Sequence, residues 1–244
     1  MEWEAPAIVL DVRPFGEGDA VATVMTEAHG AHRGLARGGS SRARAAVWQP
    51  GNLVQVRWVG RLADQLGSLS AELVHPVAAL AMDDALALAM LRAACAVAEG
   101  ALPEREACPR AFSGLLRLLA RLPLGAPLLA DLIRWEAALL ADLGYGLDLA
   151  PSGNAPLAWV SPRTGRAVTD ALAGEWRARL FRLPPLLIGD DPGAPADWRD
   201  GLKLTGHFLA RDAFGLRHRP LPAARLALYD RVAADAAESK EPHG

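Results

Sequence analysis

The sequence predicts an α+β protein: a small all-β domain, a barrel or sandwich, followed by a larger α-helical domain. Three observations predict it. Short runs of alternating apolar and polar residues, separated by glycine-rich turns, fill the chain as far as His75. At His75-Pro76 the spacing of apolar residues becomes helical. The composition, 51% hydrophobic and 22% charged over 244 residues, suits a chain that folds around a core. The domains are read as residues 1–78 and 79–244.

The β elements follow in order. APAIVLDVRPF places Ile8, Leu10 and Val12 on one face and Asp11 and Arg13 on the other, the period-two pattern of a half-buried strand. GEGD turns the chain with residues that tolerate positive φ. AVATVMT is a β-branched run closed by EAHG, and AHRGLA is a short third strand. GGSSRARAA then reads as a loop with little to pack, and QPGN as another turn. In LVQVRWVGRL, Val54, Val56 and Trp58 share one face, and Gln55, Arg57 and Arg61 the other. In LGSLSAELV, Leu69, Ala71 and Leu73 oppose Ser68, Ser70 and Glu72. Five short strands in so little chain suit a small barrel or sandwich.

The helical half opens with Asp83 and Asp84 as cap and first-turn acid. Leu86, Met90, Ala94 and Val97 follow at helical spacing, and Gly100 can close the helix. FSGLLRLLARL is a second helix. A third runs from Pro127 to Leu143 with the stripe Leu128, Leu132, Trp135, Leu139 and Leu143, and ends at Gly144. The turn-rich segment 147–169 holds a hairpin made from LAWVS and RAV. GEWRARLFRL, DWRDGLKLTGHFLARDAF and PAARLALYDRVAADAA read as further helices, with Pro222 in the first turn of the last.

Several function classes are excluded on pattern. No apolar run reaches the ~18 residues a bilayer span needs. The start, MEWEAPAIVL, has two acids and no basic region, so it is read as no signal peptide, and a cytoplasmic location is expected. Cys95 and Cys108 suggest neither a disulfide framework nor a metal site. There is no Walker phosphate loop, no G-x-S-x-G and no H-E-x-x-H. His29 and His32 have H-x-x-H spacing but only Glu27 nearby. Asp83-Asp84 and Asp190-Asp191 fit capping and turn roles. No catalytic residue, metal or cofactor is expected, and the chain is read as not an enzyme.

The charge distribution is the strongest lead. From Ala28 to Ala63 the chain has Arg33, Arg37, Arg42, Arg44, Arg57 and Arg61 and no acid, a charge of +6; since the whole chain totals −2, the remainder carries −8. Arginines on a barrel face, joined by an arginine-bearing loop, can follow a phosphate backbone, each guanidinium donating to phosphate oxygens. A small barrel of this kind binds single strands when aromatics line its basic groove. The available aromatics are Trp3, Phe15, Trp48 and Trp58. Trp58 shares parity with Val54 and Val56 and is read as core, whereas Trp48 suits core or stacking equally. The alternative for the arginines is a solvated face.

VRPFGEGDAVATVMTEAHG, GLARGGSSRARA, QPGNLVQVRW, RWEAALLADLGYGLDL, VSPRTGRAV and LTGHFL, in this order, resemble the bacterial RecO family of recombination mediators, from Glu2 to Tyr229. The resemblance implies an N-terminal OB-fold and a C-terminal helical domain. It implies binding of single- and double-stranded DNA, annealing of complementary strands, and work with RecR to load RecA onto strands coated by single-stranded DNA-binding protein (SSB). The helical domain would bind the acidic SSB tail. By position, DNA contact carries over to Arg33, Arg37, Arg42 and Arg44, and extends to Arg57 and Arg61. Arg13 shares its face with Asp11, which can neutralise it. Arg134 lies in a helix where relatives carry basic residues near the SSB-tail pocket; a solvated helix arginine is the other reading. One departure stands out. Several relatives have a zinc-binding cysteine cluster after LGYG, but here the segment lacks cysteine and histidine, so no zinc is expected and packing, Trp159 and Leu157 included, must hold the hairpin. Two alternatives remain: an adaptor for the SSB tail and RecR with incidental DNA contact, and a hydrolase using Asp190-Asp191 with His207.

Overall fold

In the computed structural model, which describes residues 1–61, 65–151 and 155–239, all five expected strands form. They are β1 (Glu2–Phe15), β2 (Asp19–Thr26), β3 (Gly30–Ala36), β4 (Leu53–Val59) and β5 (Gly67–His75). They close into a barrel in the order β1-β2-β3-β5-β4. Closure is made by the one parallel pairing of the barrel, Gly34–Ala36 of β3 against Gly67–Leu69 of β5. This five-stranded barrel is the OB-fold. The alternation read in β4 holds: Val54, Val56 and Trp58 are buried and the intervening residues exposed. They meet Ala7, Val9, Ala22, Val24 and Leu69 in the barrel interior.

β1 departs from its expected pattern. A bulge between Val9 and Asp11 shifts its register against β2, and one extra residue reverses which side chains face inward. Val12 therefore packs with Val9 and Ala7 in the interior. Ile8 and Leu10 are buried too, on the opposite side, where a helix lies against β1. The strand expected to be half-buried is buried on both faces from Ala7 to Leu10.

By packing, the chain divides after Gly125 into units Met1–Gly125 and Ala126–Gly244. The first unit therefore holds helices as well as the barrel: the single turn α1 (Val77–Leu80), α2 (Ala85–Ala101) and α3 (Pro109–Ala120). Asp84 caps α2, its Oδ1 accepting from the amides of Leu86 (2.7 Å) and Ala87 (3.1 Å). The helix continues through Gly100 and stops before Pro103. Cys95 faces β1, its thiol 3.9 Å from the carbonyl of Val9, and full burial pushes its pKa up to about 12.

The second unit is built on α4 (Leu128–Asp142), α6 (Pro195–Phe208) and α7 (Ala223–Glu238). α4 ends as expected at Gly144, whose φ of +86° suits the reversal. The expected hairpin forms from β6 (Leu157–Val160) and β7 (Ala167–Thr169), followed by the short α5 (Asp170–Ala173). GEWRARLFRL is not the expected helix. Gly174, at φ +44°, ends α5; a 3₁₀ segment covers 174–179; and Phe181–Arg182 form β8, which adds to β6. α6 does continue into the next segment as expected, through a π-helical turn over Leu209–Phe214.

At the junction of α4, α6 and α7 lies an ion pair hidden from water. Glu136 is 0% and Arg225 1% exposed. Arg225 donates from Nε to Glu136 Oε1 (2.5 Å) and from Nη2 to Oε2 (2.9 Å) and to the Leu202 carbonyl (2.8 Å). Thr205 Oγ1 donates to Oε2 at 2.5 Å. Removing one partner leaves a charge stranded in apolar surroundings. Arg225→Met is expected to destabilise the chain by about 3–5 kcal/mol in urea unfolding, and Glu136→Met in the same molecule to recover much of that loss.

Candidate nucleic-acid interface

Between β3 and β4 the segment 37–52 forms a series of tied turns, not a loop with little to pack. The carboxylate of Asp19, at the start of β2, accepts from the Gly38 amide (2.7 Å), and its carbonyl accepts from Ser40 Oγ (2.8 Å). Ser41 Oγ donates to the Gly38 carbonyl (2.6 Å), and the Ala45 amide to the Ser41 carbonyl (2.8 Å). At the far end the Asn52 side-chain amide donates to the carbonyls of Ala46 (2.8 Å) and Val47 (3.3 Å). Trp48, 4% exposed, plugs into the barrel interior, so its role is core.

The fold sorts the six arginines by giving some of them acids. Arg33 pairs with Glu99 of α2 (3.0 Å) and with Glu104 (3.1 Å). Glu99 also meets Arg13 at 3.5 Å, and Arg13 pairs with Asp11 at 2.7 Å. Arg57 pairs with Glu2 (2.5 Å) and Glu4 (3.5 Å) of the neighbouring strand. Arg37, Arg42 and Arg44 are exposed on the tied segment and have no acidic partner among the described residues. Arg61 is exposed beside residues 62–64, which lie outside the described residues. Arg44 and Arg57 also border a groove of about 570 Å³ on the barrel, with Trp48, Gln55, Ser70 and Glu4.

Of the four aromatics, Trp48 and Trp58 are buried. Trp58 Nε1 donates to the Arg33 carbonyl (3.3 Å). Trp3 stacks on His29 with centroids 4.4 Å apart. Phe15 is 55% exposed and is the cross-strand partner of Asp19, the residue that anchors the arginine segment. It is the exposed ring at the base of that segment. His32 Nδ1 donates to the His29 carbonyl (2.8 Å), and among the described residues no three His, Cys, Asp or Glu side chains gather as a metal site.

In the second unit, Arg134 is occupied by its own fold. Nε donates to the Leu186 carbonyl (2.9 Å), Nη2 to those of Asp191 (2.8 Å) and Gly189 (3.1 Å), and Nη1 to Asp131 (3.3 Å). It holds the 186–191 turn against α4. Asp191 Oδ1 accepts from the Gly193 amide (2.7 Å), a turn role, while His207 Nε2 donates to the Pro162 carbonyl (3.1 Å), so no hydrogen bond joins these two. The hairpin is held by Trp159, whose Nε1 donates to Asp170 (2.8 Å), and by Arg177, which pairs with Asp170 at 2.6 Å and lies 5.8 Å from the Trp159 ring centre.

A closed OB-fold barrel with an anchored, arginine-bearing segment, followed along the chain by a helical unit, defines the class. The family sequence model for the recombination protein O N-terminal domain matches residues 1–77, and that for its C-terminal domain matches residues 82–221. The chain is 61% identical over 244 positions to the DNA repair protein RecO of Gluconacetobacter diazotrophicus, covering 96% of both chains. It is 60% identical to that of Granulibacter bethesdensis, again covering 96% of both, and 46% identical to that of Rhodospirillum centenum, covering 95% of this chain and 94% of the relative. The chain belongs to the recombination protein O family.

Two expectations follow from this geometry. Burial lowers the pKa of His32 below 6.5, with the electrostatic influence of Arg105 and His29 acting the same way, against the raising effects of its bond to the His29 carbonyl and of Glu104. The folded chain keeps His32 neutral where the unfolded chain takes up a proton. Stability therefore falls as pH drops below 6.5. Thermal melting from pH 7.5 to 5 is expected to fall less in His32→Asn than in the parent. Second, Arg33→Ala is expected to lower the melting temperature, since it leaves Glu99 and Glu104 without that partner, and to do so more than Arg37→Ala.

Proposed function

We propose that the chain is a recombination mediator without bond-making activity, which binds single- and double-stranded DNA through the barrel and promotes annealing. In this reading it works with RecR to load RecA onto SSB-coated single strands, and its helical half meets the acidic SSB tail. The observation that carries the reading is the group Arg37, Arg42 and Arg44. These three cations lack acidic partners among the described residues and stand on a segment whose backbone is already fixed by Asp19 and Asn52. Guanidiniums so placed donate to phosphate oxygens with little ordering left to do. The exposed ring of Phe15 offers a face for a base. Arg33 and Arg57 contribute less, because a phosphate must displace a carboxylate to reach them.

What this predicts is a graded salt dependence. In fluorescence anisotropy with a labelled single strand from 50 to 400 mM salt, Arg37→Ala/Arg42→Ala/Arg44→Ala is expected to flatten the log–log slope by about 2, at ~0.7 per lost phosphate contact. Arg33→Ala/Arg57→Ala should change it by less than half as much. Phe15→Ala should weaken binding roughly tenfold while leaving the slope unchanged. Equal slopes for parent and triple variant would overturn the site. An adaptor with incidental DNA contact would then be the better account.

A further inference from the structure

The three-stranded sheet of the second unit has an outer face that the reading above does not use. Trp159 of β6 stands between Val168 of β7 and Arg182 of β8, its cross-strand partners. The opposite face carries Val160 and Phe181, and Phe181 packs on His207 with ring centres 4.9 Å apart. The outer row is thus Val168, Trp159 and Arg182. Beside it, the 3₁₀ segment 174–179 presents Trp176, 62% exposed, with the Arg179 guanidinium 5.4 Å from its ring centre.

The charge of this stretch of chain is one-sided, although Arg182 also borders a groove that holds Asp197 and Asp200. From Trp159 to Arg182 there are five arginines and two acids, a net of +3. Arg177 is neutralised by Asp170, and Arg166 is 3.7 Å from Asp148. Arg163, Arg179 and Arg182 are exposed and have no acidic partner among the described residues. The exposed Trp176 ring with a guanidinium beside it is a combination that suits an anionic, flat-ringed partner. A flat ring next to cations on a short irregular segment suits a base on the ring and its phosphates on the arginines.

We infer that this face is a second surface for single-stranded nucleic acid, with Trp176 stacking a base and Arg179, Arg182 and Arg163 holding the flanking phosphates. Trp159 and Arg177 position the sheet and do not contact the strand. Two separate basic surfaces on one chain would let it hold two strands, which is what annealing requires. The inference rests on the reading of the chain as a DNA binder, but on different residues.

The test uses the full chain and a fluorescent oligothymidylate. Trp176→Ala and Arg179→Ala/Arg182→Ala are exposed changes and should leave the melting temperature unaltered. Each is expected to weaken binding about tenfold, and to weaken it further when combined with Arg37→Ala/Arg42→Ala/Arg44→Ala. Binding within twofold of the parent for both would overturn the inference. So would unchanged DNA binding together with lost binding of an acidic peptide, which would make the face a protein-docking surface. Photocrosslinking of the unaltered chain to a bromodeoxyuridine-bearing strand gives an independent reading: adducts within residues 174–182 support the surface, and adducts confined to the barrel overturn it. Failure of the barrel variants alone to weaken binding would sink the barrel site and leave this one standing.

Discussion

A guanidinium withdrawn from water must be matched, and the pairing of Arg225 with Glu136 is that constraint in its strongest form. One bidentate pair, completed by Thr205 and the Leu202 carbonyl, fixes where three helices can meet. Helices sliding past one another by a turn would separate the partners. The same rule operates more gently elsewhere. Arg134 is matched by three carbonyls, Arg33 by two carboxylates and Arg57 by two more. What remains available to an external anion is decided by which arginines the fold leaves unmatched.

Much of the fold was legible because period and residue type agree. β4 alternates without interruption and pairs on both sides, so its faces follow directly from its letters. β1 did not, because a bulge is a backbone event with no fixed residue signature. Burial by α2 then made its outer side apolar as well. GEWRARLFRL has helical composition, but Gly174 adopts a conformation that ends a helix, and Phe181 finds a strand to join. The buried pair had left a trace: Glu136 and Arg225 each fall on the apolar stripe of its helix, beside Leu132 and Leu139 in one case and Leu228 and Val232 in the other. Two opposite charges on two buried stripes are a sequence signal of a matched pair.

For the candidate site, the basic stretch stands out in the sequence, but which of its arginines the fold pairs with acids does not. Counting charge along the chain picks out the basic stretch but treats it as one surface. Its acids come from elsewhere: Glu99 lies 66 residues from Arg33, and Glu2 lies 55 from Arg57. Nothing local in either arginine's neighbourhood distinguishes it from Arg37 or Arg42. The anchoring of the segment was hidden for a similar reason, since Asp19 sits in a turn whose composition already explained it. Trp176, Arg179 and Arg182 drew no attention because GEWRARLFRL read as a helix, where exposed residues call for no explanation.

The pairing of β1 has a consequence for how the chain is born. Its first residues, Glu2–Pro6, find a strand partner only in β4, Leu53–Val59. At ribosomal speed this part of β1 therefore waits roughly 3–10 seconds with that edge open. An open, flat, apolar edge invites pairing with another nascent chain. This one carries Glu2, Glu4 and Pro6 on its exposed side, and charge and proline both discourage such pairing. The carboxylates that later quiet Arg57 serve first as guards of an unfinished sheet.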